Sequence, residues 1–370
     1  MRRILLLAAK LLLILAAALL LCGNVSAETG ESPGNAIADA VPPEASEILE
    51  GAGITPENNG AAGLTIEGTL GYLWELFLNR AAAPIRLLAA LCGIVLLCAL
   101  AGSAADGAGS MSGVFSVVGV LAGAGMTSAA VYDALSGTLE VLQTASRFML
   151  VFVPVFAGVI AAMGKAAAAS AANTVTLGAA QLFSQLAVNF LVPVCGTVLG
   201  LSVTGAIHQE LNIGRLGELI KKAAVWSLSL IMTVFMSILS AQTFVTNSAD
   251  TVLIKTAKFA VSNGVPIVGG TISDAVNTVH ASLSLLHSSI GTYGIIAGIV
   301  IILPSLISVA CYRMALSAAE AFSGVFGVKE LTELFKACGS VMAIIMAVIV
   351  CFLLLNTISA VIMLALGGTA

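Results

Sequence analysis

Seven apolar runs, each near the length that crosses a bilayer, constrain the fold of this chain most strongly. They lie at 84–103, 112–131, 148–163, 177–207, 225–245, 291–311 and 341–364. A spanning helix needs about 20 apolar residues. The chain is 59% hydrophobic and only 9% charged, whereas soluble domains carry about 25% charged residues. We therefore predict an all-α polytopic membrane protein with about seven transmembrane helices.

The N-terminal part of the chain differs from the rest in composition. Basic residues, an apolar run and small residues before Ala27 predict a signal peptide at 1–27, with an uncleaved anchor as the alternative. Residues 28–83 are predicted to be an acidic, mostly disordered extracytoplasmic segment with a short interfacial helix at 64–80. Residues 84–370 then form the multipass membrane domain.

One element inside that domain, 250–290, is predicted to be a broken, re-entrant-like helix. Lys255 and Lys258 follow a helical pattern, which Asn263-Gly264, Pro266 and Gly269-Gly270 then interrupt. Proline lacks a backbone N–H, and glycine permits positive φ. Non-helical backbone at membrane depth survives only where protein or water satisfies it. This break is therefore predicted to pack within the bundle.

The helix is predicted to restart at Thr271, where Thr271 and Asp274 have the spacing of a capping box. Asp274 either caps this helix or lines an aqueous path, and the two roles are compatible. The apolar positions after it predict one buried face. His280 and His287 fall on the opposite, polar side.

Signatures of enzymes and metal sites are absent from the sequence. It contains no HExxH, GxSxG or GxxxxGK[ST] pattern and no CxxC pair. The two histidines on the polar face have no acidic or cysteine partner at ligand spacing. The seven cysteines are predicted to be packing residues. We expect no enzymatic activity and no cofactor.

The stretch from Gln242 to Val279 resembles the stage III sporulation protein AE family. The likeness rests on the Ser248-Ala-Asp250 turn, Lys255-x-x-Lys258-Phe259, Asn263, Pro266-Ile-Val-Gly269 and Ser273-Asp274-Ala275. It extends over most of 84–365. The resemblance and the helix break together select these candidate functional positions: Lys255, Lys258, Phe259, Asn263, Pro266, Gly269, Gly270 and Asp274.

The resemblance implies a role in endospore formation. Proteins of this family are expected to form a membrane subunit of a channel or transport assembly between mother cell and forespore. That assembly resembles a specialised secretion system, lies in the mother-cell membrane around the forespore, and draws energy from a separate ATPase subunit. The implied partners are other membrane proteins and the bilayer, with no nucleic acid.

Two other functions are compatible with the residues alone. Broken helices are typical of secondary transporters, so a stand-alone permease for a small solute is the alternative. An intramembrane enzyme is a third possibility, although the sequence contains no enzyme motif that supports it. The topology also stays open: with residue 28 outside, seven crossings put the basic segments 208–224 and 313–338 outside, against the positive-inside rule.

Overall fold

The structure, a computed structural model, describes residues 33–51, 53–56, 66–105, 111–207, 219–220, 222–238 and 269–368. All regular secondary structure in these ranges is α-helical. The helices are α1 (Pro33–Asp39), α2 (Pro43–Gly51), α3 (Ile66–Ala105), α4 (Met111–Ala162), α5 (Ala166–Ile207), α6 (Lys222–Ile238), α7 (Gly269–Val325) and α8 (Lys329–Gly368).

Five of these helices, α3, α4, α5, α7 and α8, are long and apolar enough to cross a membrane. The predicted count of seven differs for two reasons. The runs 112–131 and 148–163 belong to one continuous helix, α4. The described part of the run 225–245 lies in α6, which is shorter than the candidate spans. The residues between them include Asp133, Glu140 and Arg147 but no proline. Hydropathy therefore falls while the helix continues, because helix formation needs no apolar side chains.

Helices α4 and α8 lie at the centre of the bundle. Helix α8 packs against α4, α5 and α7, and α4 also packs against α3 and α7. Phe148, Phe152 and Phe352 are among the large side chains that are fully buried there. Many apolar side chains on the outside, such as Leu97 and Trp226, are exposed. Such a surface suits lipid, where close packing rather than apolar burial holds helices together.

Three glycine pairs, each with a spacing of four, lie in the long helices, and such spacing lets helices approach closely. A Cβ added at Gly119 would overlap the Cys98 Sγ, and one at Gly123 would lie 3.0 Å from Leu331 Cδ2. In the pair 294–298, only Gly294 meets a neighbouring helix, at Phe152. The third pair, 196–200, faces open space.

A tight turn closes α7 and α8 into an antiparallel hairpin. Gly327 has a φ of 74°, a conformation that glycine adopts without steric cost. The Val328 N–H donates to the Ser323 carbonyl at 3.1 Å, and the Ser323 and Thr332 hydroxyls lie 2.9 Å apart. The polar and charged segment 313–337 is therefore the end of a helical hairpin.

Residues 33–51 and 53–56 pack on the bundle, whereas the sequence predicted a mostly disordered segment at 28–83. Helix α1 contacts α4, and α2 contacts α7. Ile37, Leu49 and Ile54 are buried, and the Ser289 hydroxyl donates to the Pro56 carbonyl at 2.8 Å. Acidic composition predicted solvation here, but the apolar residues recur on one side of each short helix and are buried.

Candidate functional site

A row of aromatic rings runs along α4 and ends at a histidine of α7. Phe148, Phe152 and Phe156 recur every four residues, and their ring centroids lie 5.6 and 5.3 Å apart. The His287 ring stacks on Phe156 at 4.7 Å with an interplanar angle of 17°. Only 3% of His287 is exposed. The polar side of the helix is therefore buried at this position, where the His287 ring packs against the aromatic row.

Two glycines of α7 make room for these rings. A Cβ added at Gly291 would lie 2.5 Å from Leu364 Cδ1 and 2.8 Å from Phe156 Cζ. A Cβ added at Gly294 would overlap the Phe152 ring. Alpha-helical backbones come this close only where the side chain is small. The aromatic row and the two glycines thus fix how α4, α7 and α8 pack.

A buried lysine ties the turn between α4 and α5 to the end of the last helix. Gly164 has a φ of 89°, and only 6% of Lys165 is exposed. The Lys165 Nζ donates to the Leu366 carbonyl at 2.6 Å. The last carbonyls of a helix have no intrahelical partner and carry the negative end of the helix dipole. The Lys165 ammonium group donates a hydrogen bond to one of these carbonyls and also interacts favourably with the negative end of the dipole.

The lysine and the histidine meet the same end of α8. The main chain of Met363, one turn before Leu366, lies within reach of the His287 ring. We call His287, Lys165, Phe156 and Gly291 the polar junction. The polar junction holds α4, α7 and α8 together, because the lysine binds a main-chain carbonyl and the His287 and Phe156 rings stack. Within the described ranges, no three His, Cys, Asp or Glu side chains come together as metal ligands.

A cavity of about 750 Å³ lies on another side of the bundle. Its walls are formed by Pro42 with helix α2, and by α3, α4 and α7. Its charged lining residues are Glu44, Arg80, Asp133 and Glu140, and Pro304 lies on its α7 wall. These charged side chains are exposed. The cavity is thus open and mixed in polarity.

The predicted functional positions lie mostly outside the described residues. These are Lys255, Lys258, Phe259, Asn263 and Pro266.

The remaining three predicted positions lie in α7. Gly269 and Gly270 are its first two residues, so the helix starts earlier than the expected Thr271. The capping-box residues Thr271 and Asp274 are therefore inside the helix. Glycine at a helix N-terminus destabilises the helix only slightly. Gly269 and Gly270 can therefore form the first turn of α7 instead of extending the predicted helix break.

Sequence reasoning missed the residues of the polar junction, although one signal was visible. Lys165 is the only charged residue between Arg147 and Glu210. A lone charge flanked by long apolar runs indicates a functional or structural role in a membrane protein. Gly291 and His287 carry no comparable signal, because their contacts depend on Phe156 in a distant part of the chain.

A bundle with five helices that are long and apolar enough to cross a membrane, and with a lipid-suited surface, is characteristic of a helical membrane protein. The family model of stage III sporulation protein AE matches residues 54–367, and the chain belongs to that family. This confirms the resemblance.

One similar protein is stage III sporulation protein AE of Bacillus subtilis (strain 168), which is 26% identical over 162 residues. The alignment covers 44% of this chain and 41% of that protein, so the chain spans about two fifths of its relative. No solved structure matches the chain.

Proposed function

We propose that this protein is a membrane subunit of the channel or transport assembly that sustains the forespore during endospore formation. The observation that carries the proposal is the family match, which runs from residue 54 to 367 and includes all five candidate spans. Membership of the family supports a sporulation role. The protein is proposed to lie in the mother-cell membrane around the forespore.

The lengths of the helices support a role in an assembly. Helix α4 has 52 residues and α7 has 57, so they are about 78 and 86 Å long. The hydrocarbon core is about 30 Å thick. Segments of both helices therefore extend beyond the core, where they offer surface to other proteins.

The end of the α7–α8 hairpin is the surface we propose for a partner. Val325 is 83% exposed and Phe326 is 43% exposed, and the charged residues Lys329, Glu333 and Lys336 follow in the first turns of α8. The Lys336–Glu333 pair is itself exposed, at 3.9 Å. Exposed apolar side chains within a polar rim are typical of protein interfaces.

Site-specific photo-crosslinking in sporulating cells tests this surface. We expect a photoreactive residue at Val325 to crosslink to other sporulation membrane proteins. The matched control is Leu97 on α3, which is 69% exposed in an apolar stretch and should crosslink to lipid. Equal protein crosslinking at both positions, or none at either, would contradict the proposed surface.

A pull-down of the solubilised protein from sporulating cells tests the function itself. A subunit should bring down other membrane proteins, whereas a stand-alone transporter should not. A deletion strain should complete engulfment and then fail to form heat-resistant spores. Normal numbers of heat-resistant spores would refute the proposed function.

A further inference from the structure

The N-terminal helices α1 and α2 belong to a segment that folds back on itself. We call its described residues, 33–51 and 53–56, the lid. The two ends of the lid touch, because a Cβ added at Gly34 would lie only 3.1 Å from the Pro56 Cβ. The lid is therefore a compact unit that lies on the bundle and is not threaded through it.

Polar contacts between the lid and the bundle are few. The turn after α2 is closed within the lid, where the Ile54 N–H donates to the Leu49 carbonyl at 2.8 Å. The Ser289 hydroxyl of α7 donates to the Pro56 carbonyl at 2.8 Å and joins the lid to the bundle. Among the described residues, the acidic side chains of the lid form no salt bridge with the bundle. Departure of the lid therefore leaves few polar groups of the bundle without a partner.

One apolar face docks the lid on the bundle. Helix α1 contacts α4, and α2 contacts α7. The buried apolar side chains of the lid recur every four residues through both helices and continue after α2; they are Ile37, Val41, Ala45, Leu49 and Ile54. This docking surface is small for a segment of this length, since every ordered residue costs conformational entropy. Segments with few buried apolar contacts open locally while the rest of the protein stays folded.

The lid forms one side of the cavity of about 750 Å³. On that side the cavity is lined by Pro42, Glu44, Ala45 and Ile48, and the facing walls belong to α3, α4 and α7. The α4 wall carries polar side chains, which include Asp133, Glu140 and Thr144. Ionisable residues of spanning helices commonly face water-filled cavities. The surface that the lid covers is therefore one that water can wet.

We propose that the lid is a gate that opens as one unit and admits small polar solutes to the cavity between α3, α4 and α7, while the bundle stays folded. Opening undocks five apolar side chains and breaks the hydrogen bond from Ser289. The helices of the lid have seven and nine residues, and helices this short are marginal in water. Their main-chain amides therefore exchange with solvent when the lid is open. The gate needs no partner and is independent of the proposed sporulation role.

Hydrogen–deuterium exchange of the purified full-length protein in detergent, read by mass spectrometry, tests the separate opening of the lid. Lid amides should exchange about tenfold faster, or more, than the central amides of α8. Leu49→Ala removes a docking side chain that is 1% exposed. It should speed lid exchange by about thirtyfold or more and leave α8 unchanged.

Two further variants separate undocking from a general loss of stability. Ser289→Ala removes the hydrogen bond from the bundle side and should speed lid exchange by about fivefold. Glu47→Ala changes an exposed residue of the same helix as Leu49 and should leave exchange at the wild-type rate. A common exchange rate for the lid and α8 would show that the lid is an integral part of the bundle. Equal acceleration of both by Leu49→Ala would show the same.

Cysteine labelling with a polar maleimide tests whether opening exposes the cavity. Gly137→Cys introduces a thiol on the α4 wall, where an added Cβ meets no atom within 4 Å. Adding Leu49→Ala should raise its labelling rate by about the factor seen for lid exchange. The control is Gly339→Cys on α8, a half-buried position with the same free space that does not line the cavity. Its rate should not change, and each parent protein gives the background of the native cysteines. Labelling of Gly137→Cys that is indifferent to Leu49→Ala would overturn the gate.

Discussion

Gly294→Ala adds one methyl group at the closest helix contact of the bundle. The new Cβ would overlap the Phe152 ring, whose three nearest atoms all lie too close for an ordinary contact. Phe152 is fully buried, and it stacks on Phe148 and Phe156 at 5.6 and 5.3 Å. The ring therefore has no free direction in which to turn, and α4 must move away from α7.

The free energy of unfolding should fall by about 1–3 kcal/mol, the usual cost of overpacking a dense core. Gly298→Ala is the matched control, because it lies one turn further on α7 and an added Cβ meets no atom within 4 Å. Both variants gain the same helix propensity, about 1 kcal/mol relative to glycine. Their difference therefore isolates the overlap with Phe152.

Thermal unfolding in detergent, followed by a maleimide dye, measures this difference. Cys195 and Cys338 are buried, so they react only when the bundle opens. Gly298→Ala should melt at or above the wild-type temperature, and Gly294→Ala clearly below it. Adding Phe152→Leu to Gly294→Ala should recover part of the loss. Equal melting of the two alanine variants would refute the reasoning.

Three further predictions follow from the other features of the chain. Lys165→Met should lower the free energy of unfolding by about 1–3 kcal/mol, because the Leu366 carbonyl loses a charged donor; wild-type melting would exclude this. N-terminal sequencing of protein from its own host should find cleavage after Ala27, and an intact start would exclude it. Gly269→Leu should abolish sporulation by overpacking or blocked movement, while Gly30→Leu in the acidic segment should be silent; normal spores with Gly269→Leu would contradict the predicted role of 263–270.

Hydropathy alone was enough to predict the class of protein. Long apolar runs and a low charge content leave a helical bundle in a membrane as the physical solution, because lipid cannot satisfy open backbone. The same reasoning divided α4 into two predicted spans. Asp133 and Arg147 ended an apolar run but not the helix, because hydropathy reports the surroundings of a residue and not its backbone conformation.

The N-terminal segment and His287 show a second limit. Acidic residues made 28–63 look solvated, yet Ile37 and Leu49 are buried against the bundle. His287 was placed with the polar side of its helix, yet it stacks on Phe156. A pattern along one helix divides its faces, but it does not say which neighbours those faces meet.

The sequence by itself therefore determined the membrane class, the all-helical content and the family, since these depend on composition and local motifs. Only the tertiary structure decided which polar residues act together. Lys165 binds a carbonyl 201 positions away in the chain, and the Ser289 hydroxyl binds one 233 positions away. Such contacts depend on the register between packed helices, which side chains from several helices set jointly and no single stretch encodes.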